Sequence, residues 1–197
     1  MTPTITDSWA RIETWLAAHA PATFAALAPP AKPERIAAAE EAIGLAFPEP
    51  LKESLLRHDG SADASVLPPF WSLLGAEAVE ENWELRVEIY EDELEEEEED
   101  DEDDPESEFG PWWNRAWIPF AKDGAGDYLV IDLRPGPRAG RIGNADHELG
   151  GHFKDFPMWS SLPALLDATA TSLETGEQLG NYAPFVNEDG GLDWHRE

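Results

Sequence analysis

The stretch WIPFAKDGAGDYLVIDL, residues 117–133, decides the fold class. Two apolar runs, 117–121 and 127–133, flank a turn cluster with two glycines, which is typical of antiparallel strands joined by a tight connection. The second run has apolar residues at odd and even positions alike, so both of its faces should be covered. We therefore predict a hairpin here, with 127–133 as an internal strand of a sheet.

Shorter strands are predicted on both sides of this hairpin. Residues 140–144 follow the turn cluster RPGP at 134–137, and 152–158 is a candidate for one more strand. Upstream, 65–68 has the composition of a short strand, whereas 70–74 is predicted to be a connection. Together these segments predict a mainly antiparallel sheet of about four to six strands.

Helical spacing of apolar residues dominates the first half of the chain and returns near its end. Asp7 or Ser8 is the expected N-cap of the first helix. Pro33 suits the first turn of a later helix, and Gly44 suits its end. Further helices are predicted at 21–27, from Pro48 to about 58, at 76–90, and from Ser160 or Ser161 to Gly176.

Helices first, then consecutive antiparallel strands, then a covering C-terminal helix define an α+β fold. The length of 197 residues fits one domain spanning 1–197. An acidic insert at 91–108 interrupts it, and a polar tail is expected from Glu177, with Tyr182, Phe185 and Trp194 as its anchors.

The strongest compositional feature is a formal net charge of -29. Such a surface repels phosphate backbones and anionic lipids, so nucleic acids and membranes are not expected as direct partners. It would instead accelerate encounter with a basic protein. The alternative is that the excess acid only keeps the protein soluble.

Much of this charge lies in the insert, where every residue from 91 to 108 except Leu94, Pro105 and Ser107 is Asp or Glu. Tryptophan is enriched at binding hot spots, but two tryptophans beside the insert could equally pack in the core. The candidate partner-binding residues are Glu95, Glu96, Glu97, Glu98, Glu99, Asp100, Asp101, Glu102, Asp103, Asp104, Trp112 and Trp113.

The sequence offers little catalytic or metal chemistry. His147 and His152 are five residues apart rather than the four that a helical zinc motif needs, and two glycines between them disfavour a helix. The cluster DGAGD at 123–127 fits a tight turn better than a calcium or phosphate loop. Cysteine is absent, which excludes disulfides and thiolate ligands. We expect no enzyme activity and no cofactor; a metal-dependent hydrolase that uses the carboxylates is the weakest hypothesis.

The N-terminus shows no secretory signal, and no apolar run has the length of a membrane span, so a cytoplasmic location is expected. The order of short motifs along the chain is the remaining evidence. They are WARIETWL at 9–16, PPAKPERI at 29–36, EEAIG at 40–44, FPEPL at 47–51, LLRHDG at 55–60, LP at 67–68, WSLL at 71–74, WIPFA at 117–121, DGAGD at 123–127, the strand ending on Leu133, Gly140 and SSLPALL at 160–166.

In this order the motifs resemble the SUKH superfamily, in particular its Smi/Knr-type branch, over roughly residues 9–176. The resemblance implies an α+β fold without catalytic machinery. Bacterial members are commonly immunity proteins that neutralise secreted toxins, often nucleases, whereas fungal members regulate cell-wall assembly. An immunity protein that occludes a basic toxin domain is thus the leading hypothesis, and a regulatory or scaffold protein of the same family is the alternative.

Overall fold

The computed structural model describes residues 4–96, 111–137, 139–153 and 159–196. In this part of the chain six helices accompany a six-stranded and a two-stranded sheet. The helices are α1 Ile5–His19, α2 Pro21–Ala26, α3 Pro33–Ile43, α4 Glu49–Arg57, α5 Ala76–Glu96 and α6 Leu162–Thr175. The strands are β1 Ser65–Leu67, β2 Trp71–Leu73, β3 Trp117–Lys122, β4 Tyr128–Asp132, β5 Ile142–Asp146, β6 Gly150–His152, β7 Tyr182–Val186 and β8 Leu192–Arg196.

The larger sheet joins β1 to β6 in chain order, and each neighbouring pair is antiparallel. Strand β4 lies inside it, with Ile131 opposite Ile118 of β3 and Leu129 opposite Asn144 of β5. All five residues of β4 are buried. The predicted α+β class and the internal position of this strand are therefore confirmed.

Two strand predictions need correction. Residues Trp71–Leu73 form β2 rather than a connection; all three are buried, and a strand covered on both faces shows no apolar alternation. The last strand of the sheet is Gly150–His152, earlier than expected, and 154–158 lie outside the described residues. Gly151 permits this strand, because a Cβ there would lie 2.1 Å from the Trp117 ring.

Helix boundaries follow the predicted caps with one exception. Gly44 and Gly176 end α3 and α6 in the left-handed conformation, at φ values of 71° and 73°, and the Ser161 hydroxyl accepts the Ala164 N–H at the start of α6. The N-cap of α1, however, is Thr4, whose Oγ1 accepts the Asp7 N–H at 3.0 Å. Ser8 cannot cap this helix, since it is buried within it.

Helix α1 packs between α4 and α6. Its Trp9 is fully buried and donates its indole N–H to the Ser54 hydroxyl of α4 at 3.0 Å. On its outer side the Arg11 guanidinium binds Asp167 and Glu174 of α6, both at 2.6 Å. These contacts form a layer of helices. Helix α3 contacts α4 of this layer and also packs against α5.

The segment predicted as a polar tail forms a hairpin of β7 and β8. Leu192 and Trp194 are buried, and the Leu192 N–H donates to the Thr23 hydroxyl of α2 at 2.8 Å. Of the expected anchors, Trp194 is buried, Tyr182 is half-buried and Phe185 is exposed. In the described part of the chain, every helix is too short or too polar to cross a membrane.

Candidate protein-binding face

Helix α5 presents one continuous line of carboxylates to solvent. Glu77, Glu81, Glu84, Glu88 and Glu91 are all exposed. Their alternating spacing of four and three residues places them on one face of an α-helix. At a rise of about 1.5 Å per residue, this glutamate stripe extends for roughly 21 Å along the helix axis.

The opposite face of α5 fixes the stripe on the domain. Val79, Trp83 and Val87 are buried in the core. The Trp83 indole N–H also donates to the Arg115 carbonyl at 3.1 Å, which ties the helix to the segment before β3. The glutamate stripe therefore lies on a helix whose other face is anchored in the core.

The charge of the stripe is largely uncompensated. Among the described residues, no cationic side chain lies within salt-bridge distance of its first four members, whereas Glu91 pairs with Arg115 and the flanking Glu80 pairs with Arg35. Like charges one helical turn apart destabilise a helix by about 0.2–0.5 kcal/mol per pair. The stripe therefore lowers the stability of the isolated helix and does not support the fold.

A cleft continues the acidic face beyond the N-terminus of α5. This acidic cleft, of about 360 Å³, is lined by Asp59, Asp63, Glu77 and Glu81, with Lys122 at one side. The Asp59 carboxylate accepts the Ala76 N–H at 2.7 Å and so caps α5. Because Glu77 and Glu81 belong to both features, cleft and stripe form one negative surface.

Two of the predicted acidic residues lie at the other end of α5. The helix continues through Glu95 and Glu96, six residues beyond its predicted end at Tyr90. The remaining predicted acids, Glu97, Glu98, Glu99, Asp100, Asp101, Glu102, Asp103 and Asp104, lie outside the described residues.

The two predicted tryptophans have different environments. Trp113 is 1% exposed and makes edge-to-face contacts with Trp117 and Tyr128, at centroid distances of 5.8 and 6.2 Å. Its side chain belongs to the core, which was the alternative to a binding role for the two tryptophans. Trp113 therefore offers no docking surface. Trp112 is half-buried, donates its indole N–H to the His147 carbonyl at 2.9 Å and lies 4.9 Å from the Arg86 guanidinium. Only Trp112 of this pair borders the surface.

One cluster near the β4–β5 end has groups of the kind that bind metals. Ligand atoms of Asp127, Asp146 and His147 lie within 4.8 Å of one another. However, the Asp127 Oδ1 already faces the His147 Nδ1 at 2.6 Å, and the Asp146 Oδ1 accepts the N–H groups of Glu148 and Leu149, both at 2.8 Å. The Asp127 carboxylate accepts a hydrogen bond from the His147 ring and so raises the pKa of His147. The three side chains thus already bind groups within their own turn, and these hydrogen bonds explain why they lie close together.

Apolar spacing alone does not identify the glutamate stripe, since it describes only the inward face of α5. The information is nevertheless local, because the alternating spacing from Glu77 to Glu91 is visible in the sequence. The acidic cleft has no such signal. Asp59 and Glu77 are brought together only when β1 and β2 fold between them.

Fold and surface together define an α+β domain with an acidic, exposed face on one helix. The family described as the SMI1 / KNR4 family (SUKH-1) matches residues 30–167, more than half of the chain, and this protein belongs to that family. At the level of the family, membership supports a protein-binding role like that of immunity proteins. Members of this family are generally non-catalytic. No curated protein matches the chain.

Proposed function

We propose that this protein is an immunity protein that binds a basic, nuclease-like toxin domain on the acidic face of α5 and blocks it. The observation that supports this most directly is the glutamate stripe, whose first four members have no cationic side chain within salt-bridge distance among the described residues. Family membership supports a binding role with partners such as toxins. The acidic residues 95–104 and Trp112 are further candidate contacts for the partner, and the cytoplasm is the compartment where such an inhibitor would meet it.

Charge mimicry is the proposed basis of inhibition. Successive carboxylates of the stripe lie about 5 Å apart along the helix axis. One strand of DNA carries a phosphate every 3.4 Å or so of axis. The two line charges are therefore comparable, and a cationic substrate groove would accept the stripe in place of its nucleic acid. Helix α5 and its supporting sheet would then exclude the substrate sterically.

The test compares two variants of equal charge. The stripe variant replaces Glu77, Glu81, Glu84 and Glu88 with Gln. The control variant replaces four exposed glutamates on other elements: Glu41, Glu53, Glu177 and Glu188. Each variant has a formal net charge of -25 in place of -29. Because the total charge is equal, any difference between them reports the position of the charge.

We expect the stripe variant to associate about tenfold more slowly with the toxin domain encoded beside its gene, and the control variant to lose much less. Cells that express the toxin should survive with the control variant and not with the stripe variant. Equal effects of both variants would contradict a specific face. Survival independent of the protein would instead favour a regulatory or scaffold role.

A further inference from the structure

A second cavity differs from the acidic cleft in composition, since its lining contains no charged side chain. This aromatic pocket, of about 180 Å³, is bounded by the β1–β2 turn, strands β4 and β5, helix α6 and the C-terminal hairpin. Phe70, Trp71, Trp159 and Tyr182 form its aromatic walls, and Asn144 of β5 is a polar residue in its lining. None of these residues lines the acidic cleft.

The size of the aromatic pocket limits what it can hold. Pockets for cofactors and drug-sized ligands have volumes of about 300–1,000 Å³. The aromatic pocket is smaller and therefore suits a single side chain. Phe70 is 50% exposed, and Trp159 and Tyr182 are half-buried, so several of its aromatic rings reach the surface.

The polar member of the pocket selects the chemistry of an occupant. The Asn144 Oδ1 is buried and has no hydrogen-bond partner. A purely apolar occupant would leave this acceptor unsatisfied, whereas an occupant with N–H donors would satisfy it. The occupant should therefore combine a surface that stacks on aromatic rings with hydrogen-bond donors.

A guanidinium group meets both requirements. It is planar, stacks on aromatic faces, presents five N–H donors and is less strongly hydrated than an ammonium group. A protein with a formal net charge of -29 also favours a cation over a neutral donor. The pocket lining contains no Lys, Arg or His, so no like charge within it repels a cation.

We propose that the aromatic pocket binds an arginine side chain of the basic partner. The inference rests on the proposed function for the source of that arginine, while the selectivity of the pocket follows from its own residues. The partner would then contact two surfaces: the glutamate stripe, which accelerates encounter, and the aromatic pocket, which retains one anchor residue.

The probe is N-acetyl-arginine methylamide, titrated into the full-length ¹⁵N-labelled protein. The corresponding lysine, norleucine and tryptophan compounds serve as comparisons. We expect the arginine compound to shift the side-chain amide resonances of Asn144 and the indole resonances of Trp71 and Trp159. Its affinity should exceed that of each other compound by about fivefold or more, since only guanidinium combines stacking with several donors.

Two variants test the geometry. Phe70→Ala should weaken arginine binding at least threefold without unfolding the protein, because half of this side chain is already exposed. Asn144→Asp should strengthen it, since a carboxylate accepts from guanidinium more strongly than an amide. Leu149→Ala, at a residue that is 67% exposed and outside the pocket, is the matched control and should change nothing.

Equal affinity for all four compounds, preference for the norleucine or tryptophan compound, or shifts confined to the acidic cleft would overturn the inference. The stripe variant, with Gln at four glutamates of α5, separates it from the proposed function. That variant should lose partner association while it retains the arginine compound. If the arginine compound does not bind but the stripe variant still loses partner association, the inferred arginine site is wrong and the proposed function stands.

Discussion

The Asp132 carboxylate and the Arg134 guanidinium bind each other through two hydrogen bonds, from Nε to Oδ1 and from Nη2 to Oδ2, both at 3.0 Å. Asp132 ends β4 and is 2% exposed. Arg141 adds a third contact at 3.4 Å; Arg134 also lies over the Trp117 ring and Arg141 over the Phe153 ring. A buried carboxylate thus holds the β4–β5 connection by charge, whereas the other described carboxylates are exposed or half-buried.

Replacement of Asp132 by Asn should destabilise the protein by about 2–4 kcal/mol, because it leaves two arginines without their buried counter-charge. Denaturant unfolding of the variant measures this cost. Asp63→Asn, at an exposed position, is the control and should change stability by less than about 0.5 kcal/mol. Equal stability of the two variants would show that the buried pair is not a structural element.

Glu13 joins α1 to α4, and its replacement by Gln should reveal a pH-dependent contribution. Its carboxylate accepts from the Arg57 guanidinium at 2.5 Å and faces the His58 Nε2 at 2.9 Å. The hydrogen bond from Arg57 lowers the pKa of Glu13 below its ordinary value of 4.5. We expect Glu13→Gln to cost about 1 kcal/mol at pH 7, a modest value since Arg57 is partly exposed.

The direction of the pH effect of Glu13 follows from its lowered pKa. Above pH 4.5 the carboxylate is ionised in the folded and unfolded states, and its full contribution is present. As the pH falls through the lowered pKa of the folded state, that contribution is lost. The stability difference between wild type and Glu13→Gln should therefore be constant near neutral pH and shrink below 4.5. A difference that grows on acidification would contradict this interaction.

His147 should titrate above its ordinary pKa of 6.5, because the Asp127 carboxylate favours its protonated form through a hydrogen bond. Its stabilising contribution is then present below pH 6.5 and is lost as the pH rises through the raised pKa. NMR titration of the imidazole measures this pKa directly. Asp127→Asn should lower it markedly, whereas Glu148→Gln should lower it little, since Glu148 is 3.9 Å away and exposed.

The neighbouring tryptophans should respond differently to truncation. Trp113→Ala removes a fully packed ring and should cost about 3–5 kcal/mol in stability. Trp112→Ala should cost about 1 kcal/mol, because the ring is only half-buried. If Trp112 is a partner anchor, its loss should accelerate dissociation from the toxin domain. An unchanged dissociation rate would show that Trp112 supports only the fold.

Residues 97–108 provide the test of long-range steering. Their deletion removes ten negative charges and leaves all of α5 in place. We expect association with the toxin domain to slow and its dependence on ionic strength to flatten, while the dissociation rate stays nearly constant. Association rates measured at several salt concentrations give both slopes. Identical slopes with and without the segment would exclude its role in steering.

Long-range contacts explain why several features were not predictable. The β7–β8 hairpin looks polar in sequence, and Leu192 and Trp194 become buried only because α2 and β1 lie beside it. Strand β2 is too short to show a period of its own, and pairing with β1 and β3 makes it a strand. In both cases the stabilising partner is distant in the chain.

Local features follow from the amino-acid sequence without knowledge of the packing: strand β4, the helix ends at Gly44 and Gly176, the cap at Ser161 and the acidic face of α5. These depend on backbone conformation and on spacing within a few residues, which neighbouring residues specify directly. The three-dimensional packing was needed to show that Trp113 is in the core while Trp112 borders the surface, and that Phe70, Asn144 and Tyr182 line one pocket. Burial and cavity shape depend on which distant segments pack together, and no local pattern encodes that packing.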